Sequence, residues 1–282
     1  MERSPVLIRR RKMFSGWAAA IMVALLAFGP RSAVADTIRI SGAGSAIGTI
    51  HLIGEAFRKA YPDVPLVLFP SMDSSGAVKA VLAGDLDIGF CTRSLNDKER
   101  AGGAVEAKYA RTPLVFGVNR AVHKTGLTLA SAAEIYAGKR NQWEDGGRIR
   151  LVLKPPRHPD IQILKSMSPE MKAAVESALL RDGMIVAVND QEAADLIENV
   201  PGAFGAISLA LVLSEKRAIC VLALNGIVPG VRALVDGSYP YSKTFYMVTR
   251  KNPPAAVRRF IDFVRSSAGA SILAKNGQAA VR

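Results

Sequence analysis

The chain has 282 residues, 49% of them hydrophobic and 22% charged, and a formal net charge of +13. That length suits two α/β lobes or one large domain, with no low-complexity linker to divide them. A basic chain favours anionic partners, but the sequence has no aromatic-interleaved basic motif, so nucleic acid is set aside.

The first 35 residues read as a secretory signal peptide. Arg9, Arg10, Arg11 and Lys12 precede an apolar run from Met13 to Phe28, and Ala33-Val34-Ala35 supplies the small residues of a cleavage site. The alternative, a retained signal anchor, is disfavoured by the shortness of the run and its end at Gly29-Pro30-Arg31. No lipobox cysteine lies near the cleavage site. Six basic residues and one acid fall in the leader, so the remainder carries 31 basic against 23 acidic residues, a net +8. The expected compartment is the periplasm.

After the leader, strand-like and helix-like segments alternate. Thr37-Ile40 predicts a strand, Ile47 to Ala60 a helix, Val64-Phe69 a strand, Gly76 to Ala83 a helix, and Asp87-Cys91 and Leu114-Val118 further strands. Ser131 to Ala137 is helical, Ile149-Leu153 a strand, Ile161 to Leu180 one long helix, and Met184-Val188 a strand. Asn189 or Asp190 can cap a helix running to about Glu198. Strands come next at Ala203-Ile207, Ile219-Leu224 and Phe245-Val248. A final amphipathic helix aligns Val257, Phe260, Ile261 and Val264. This rhythm predicts an α/β fold with a largely parallel sheet. Cys91 and Cys220 lie in strand-like runs and are expected to be two buried free thiols, with a disulfide as the alternative.

Three features carry chemistry. Ile38-Arg39-Ile40 leads through Ser41-Gly42-Ala43-Gly44-Ser45-Ala46-Ile47-Gly48 into a helix, and small residues there let backbone N–H groups approach an anion. The second strand repeats the design, with Ser71-Met72-Asp73-Ser74-Ser75-Gly76 before a helix. Plain N-capping explains either serine equally well. Third, Asp87 to Arg93 ends a strand with Thr92 and Arg93 near the same sheet edge. Arg93 can grip an oxyanion or an internal carboxylate such as Asp73.

These three features, together with four segments further along the chain, resemble the phosphate-binding family of periplasmic solute receptors for ABC transporters. The four segments are the most specific likenesses: Leu127-Thr128-Leu129 with Ile135-Tyr136-Ala137-Gly138-Lys139, Trp143 and Asp145; Pro201-Gly202-Ala203-Phe204-Gly205; Gly226 to Pro229 with Gly237-Ser238-Tyr239-Pro240 and Lys243; and Ser266-Ser267-Ala268-Gly269 with Gly277. The resemblance implies a two-lobed, type II periplasmic-binding-protein-like α/β fold. Each lobe is a mixed, mostly parallel sheet flanked by helices, with two hinge crossings. Residues 36–118 plus 219–282 form lobe 1 and residues 119–218 lobe 2, with Val115-Asn119 and Ser214-Ile219 as candidate crossings. It implies an oxyanion, phosphate first, bound by backbone N–H groups of Ser45, Ala46 and Ile47 and by the Ser74 hydroxyl, to which the residues' own chemistry adds Ser75, Thr92 and Arg93. A monomer handing its ligand to an ABC permease or a membrane sensor of the inner membrane, without a cofactor, completes the expectation.

The family's R-x-x-x-S-G-T segment is Lys154-Pro155-Pro156-Arg157-His158-Pro159-Asp160 here. Pro159 removes an N–H donor and Asp160 adds a negative charge. Either Asp160 caps its helix and points away, leaving Lys154, Arg157 and Arg93 to neutralise the ligand, or it faces the cleft and the ligand is not phosphate. A sensory protein for another solute is the alternative function. A periplasmic phosphatase or esterase is a lesser one, since the sequence has no G-x-S-x-G and no Cys/His pair at metal-ligand spacing.

Overall fold

The computed structural model describes residues 37–281, and the leader lies outside them. In chain order the elements are β1 (Ile38–Gly42), α1 (Gly44–Ala60), β2 (Leu66–Leu68), α2 (Ser74–Ala83), β3 (Ile88–Cys91), α3 (Asp97–Ala101), β4 (Ala104–Asn119), β5 (Gly126–Leu127), α4 (Leu129–Ala137), β6 (Arg150–Leu153), α5 (Pro159–Ser166), α6 (Pro169–Leu180), β7 (Ile185–Val186) and α7 (Asp190–Asn199). Then come β8 (Ala203–Ser208), α8 (Leu209–Ser214), β9 (Ile219–Val221), β10 (Ala223–Leu224), α9 (Val231–Val235), β11 (Ser242–Arg250), α10 (Ala255–Arg265), α11 (Ser267–Lys275) and β12 (Ala279–Ala280). No helix among them is long and apolar enough to cross a membrane.

The alternating pattern yields the expected mixed α/β architecture. The strand order is β2-β1-β3-β11-β4-β8-β6-β7, with β9 and β12 also on β4. β1, β2 and β3 are parallel, as are β6, β7 and β8, while β11 runs antiparallel to both β3 and β4. Aliphatic and aromatic residues fill each lobe separately. Leu114, Phe116, Tyr136, Leu153 and Phe204 anchor one core, and Ala77, Val78, Val81 and Val248 pack beneath α2 in the other lobe.

One strand joins the lobes. β4 pairs with β11 as far as Pro113 opposite Ser242, then with β8 from Leu114 opposite Ser208. Proline has no N–H to give a ladder, which suits the point where one partner is exchanged for another. Tyr239 Oη and Tyr241 O clamp Leu114 through its carbonyl and amide, at 2.8 and 3.0 Å. The change of partner thus falls just before Val115-Asn119. β9 pairs with the far half of β4, and β10 with β5, so residues 219–224 hydrogen-bond with the second lobe although they were expected in the first. Leu222, Leu224 and Tyr239 belong to that lobe's core.

Two further expectations change. The helix foreseen from Ile161 to Leu180 is two helices, because Ser168 caps Met171 N and Pro169 opens the second. Cys91 is buried but Cys220 is exposed, and both are free. Cys220 lies between Ile219 and Val221 on a strand whose alternate residues face opposite ways.

Candidate functional site

The carboxyl ends of β1, β3, β6 and β7 face one cleft between the lobes, lined by the starts of α1, α2, α5 and α7, with a volume of about 280 Å³. A larger cavity of about 660 Å³ opens at the opposite ends of β6 and β7, among Arg140, Arg148, Arg150 and Arg181. No helix start lines it, so the chemistry foreseen from the sequence lies in the smaller cleft.

The first turn is tight because β1 and β3 touch: a Cβ on Gly42 would meet Phe90 O at 2.2 Å. α1 then begins without a side-chain cap on Ala43. Of the amides foreseen as donors, Ala46 N and Ile47 N turn back onto Ala43 O, at 2.9 and 3.2 Å, and both residues are buried. They are ordinary first-turn bonds and not cleft donors. Ser45 N does meet an anion, but an internal one, the Oδ2 of Asp190 at 3.3 Å.

The second start is more open. Asp73 is the N-cap and takes Gly76 N at 2.6 Å. Ser74 Oγ accepts Thr92 N at 3.0 Å and lies 3.4 Å from Thr92 Oγ1, which stitches α2 to the end of β3. Among the described residues the N–H groups of Ser74 and Ser75 find no acceptor, as expected of a helix's first turn. Arg93 does not pair with Asp73. Its guanidinium is bidentate on Glu99, at 2.6 and 2.9 Å, and also donates to Ser75 Oγ at 3.0 Å. Glu99 closes the capping box of α3 with Asn96, and Arg93 holds its carboxyl below the ordinary range.

The second lobe supplies a different arrangement. Lys154 Nζ, at the end of β6, lies 2.5 Å from both Asp160 Oδ2 and Asp190 Oδ1. Lys243 Nζ, from the first lobe, lies 2.5 Å from Asp160 Oδ1 and 3.4 Å from Asp190 Oδ1. The first of these is an ion contact without hydrogen-bond direction. All four residues are at most 4% exposed. Burial alone would raise both carboxyl pKa values, but Lys154 and Lys243 outweigh it and hold both aspartates below the usual range. Burial likewise opposes the charge of Lys154, and Asp160 and Asp190 reverse that, so its pKa is raised. The formal charges of this quartet sum to zero.

Asp160 is therefore neither a cap nor free to face the cleft. His158 is the cap: its Nδ1 accepts Asp160 N at 3.2 Å. That leaves Nε2, 3.6 Å from Asp190 Oδ1, to carry the proton. Burial pushes this imidazole down to about 4, so it is neutral near pH 7. Ile161 N bonds His158 O and Pro159 has no N–H. The start of α5 has spent its donors inside the protein, and Lys154 is engaged by aspartates rather than left for a ligand.

The site as foreseen thus divides. Ser74, Ser75, Thr92 and Arg93 gather on one cleft wall. Lys154 and Asp160 belong to the buried quartet, which Ser45 touches through its amide, and Ala46 and Ile47 join neither. Asp190 and Lys243 were absent from the foreseen ligand set. Lys243 carried a signal, since it shares one strand face with Phe245 and Met247, and a lysine on an apolar face needs partners. Asp190 looked like a helix-start acid, and nothing local ties it to Ser45, 145 positions away.

The phosphate-binding protein PstS of Borreliella burgdorferi is 23% identical over 219 residues, covering 75% of this chain and 78% of that protein. The PstS of Bacillus subtilis is 21% identical over 236 residues, covering 82% and 75%. A proposed phosphate ABC transporter substrate-binding protein from Clostridium perfringens, solved with bound phosphate, superposes with a TM-score of 0.70 at 22% identity, covering 88% of this chain and 100% of that one, a likeness of fold. The domain model described as the PBP superfamily domain matches residues 30–268, and the chain belongs to that superfamily.

Proposed function

We propose that this chain is a periplasmic solute-binding protein whose cleft captures a small oxyanion, phosphate first, and presents it to an ABC permease. The observation that carries this reading is the start of α2: the Ser74 and Ser75 amides have no acceptor among the described residues and open on a cleft between two lobes. Helix-start amides and the helix dipole together favour a negative ligand. Arg157, exposed on the facing lobe, adds a cation at the mouth. A volume of about 280 Å³ suits a small solute. The PstS relatives are phosphate-binding proteins, and the function is binding, not catalysis. The lobes with the ligand seated between them would be the state that a membrane partner reads.

Isothermal titration of the purified chain with phosphate, sulfate, tungstate and citrate tests this. Heat is expected with phosphate, and absence of heat with all four removes the oxyanion reading. A second reading has its own support. Among the described residues the quartet leaves no spare buried cation for a dianion, which favours another, less charged solute, whether for a permease or a membrane sensor. No heat with any of the four, together with a solute of no net charge that co-purifies with the chain, would select it.

A further inference from the structure

Two helix starts come into contact at the cleft. α1 begins at Gly44 and α7 at Asp190, and a Cβ on Gly44 would come within 3.2 Å of both Asp190 Cβ and Gln191 Cγ. Gln191 Nε2 also donates to Gly44 O at 3.3 Å, which ties α7 to the first lobe, and to Glu215 Oε1 at 2.7 Å within the second. Two positive helix ends facing each other repel. Here a carboxylate lies between them: Asp190 takes Ser45 N from α1 while Lys154 and Lys243 grip its Oδ1 from either lobe.

We infer that Asp190 is a tethered anion, a carboxylate of the chain itself that occupies the oxyanion position at the start of α1 and holds the lobes together without a soluble ligand. An oxyanion then enters against Asp190 and not into a waiting cationic socket. This deepens the reading of the cleft as an oxyanion site and rests on it only for the competition.

The geometry is specific to this residue. Asp160 also meets both lysines, but it reaches no amide of the first lobe. Asp190 alone touches a lysine from each lobe and the α1 backbone. Its removal frees one amide and leaves the quartet with a net positive charge, both of which favour an incoming anion.

The test is small-angle scattering in oxyanion-free buffer, with and without excess inorganic phosphate, joined to titration calorimetry. The natural chain is expected to give the same radius of gyration with and without phosphate. Asp190→Asn is expected to expand in oxyanion-free buffer, to contract on adding phosphate, and to bind phosphate at least roughly tenfold more tightly. Gly44→Leu, which drives a side chain into the α1–α7 contact without changing any charge, is expected to expand with Asp190 still present. A natural chain that opens without phosphate overturns the inference. So does an Asp190→Asn chain with unchanged scattering and unchanged affinity. If Asp190→Asn fails to fold, the natural chain and Gly44→Leu still decide. Expansion of Asp190→Asn with no oxyanion bound by either chain upholds the tether and sinks the oxyanion reading.

Discussion

The two lobes bring the same local device to the cleft and use it in opposite ways. On the first lobe, α2 begins with Asp73 turned onto Gly76 N and with Ser74 and Ser75 N–H groups unspent. On the second, α5 begins with an imidazole cap, a proline that has no N–H, and an aspartate buried between two lysines. A helix start is an anion site only while its donors remain unclaimed. The two lobes therefore differ in where their donors and charges are spent, which a motif alone does not reveal.

The largest break in that contrast is to unbalance the quartet. Lys154→Met leaves two buried carboxylates facing one ammonium, and loss of one partner of a buried pair costs about 3–5 kcal/mol. Thermal unfolding should shift down by on the order of 10 °C. Adding Asp160→Leu to Lys154→Met restores the balance and should recover most of the loss. A single variant that melts like the natural chain would mean that water already reaches these charges.

The next effect is a pH dependence that belongs to the second lobe. His158 is held neutral, at about 4 against a reference of 6.5. The unfolded chain binds its proton first, so this contribution is full above about 6.5 and is lost as pH falls towards 4, up to about 3 kcal/mol. The lowered aspartates act in a separate window, losing their contribution only below the ordinary carboxyl value of 3.8. His158→Asn keeps a capping acceptor while removing the titration. Denaturant unfolding between pH 7 and pH 4.5 should then flatten in the variant. An equal slope in both chains would assign the pH effect elsewhere.

A smaller effect belongs to the first lobe. Ser74→Ala removes the acceptor of the Thr92 amide, and an unsatisfied buried donor costs about 1–3 kcal/mol. The same change should weaken any oxyanion by less than tenfold, because the ligand is read as bound by the Ser74 and Ser75 amides and the hydroxyl faces Thr92. Loss of all binding on Ser74→Ala would give the hydroxyl the larger role.

Periodicity and turn chemistry made the α/β succession legible. Strands of four to six residues between amphipathic helices admit few other folds, and Gly84 and Gly138 sit at positive φ where a turn requires glycine, while Gly42 lets β1 and β3 touch. The α2 start was legible too, because its donors and hydroxyls are neighbours in sequence. The quartet was not. Lys154 and Asp160 were visible as departures from a motif, but their charges are settled by Asp190 and Lys243, 36 and 89 positions further on from Lys154. No spacing rule links those four residues. Only the β4 hinge and the return of β11 bring Lys243 beneath the second lobe.

The two cysteines give the last and mildest test of the contrast, because they report on one lobe each. Cys91 ends β3 under α2, its thiol donating to Ser74 O at 3.6 Å, and burial pushes it up to about 12. Cys220 lies exposed on β9. Because the thiolate is the reactive form, Cys91 should react on the order of a thousandfold more slowly than an ordinary thiol even if reagent reached it. An aromatic disulfide reagent should therefore release one equivalent promptly, and Cys220→Ser should abolish that phase. The second equivalent should appear only at the rate of global unfolding. If Cys91 instead reacts in the native state well ahead of unfolding, the carbonyl of Ser74 lifts off it in local openings, and with it the unspent amides of Ser74 and Ser75. The donors that make the first lobe's helix start a binding wall would then be mobile, and the contrast with the locked second lobe would be one of rigidity as well as of unspent hydrogen bonds.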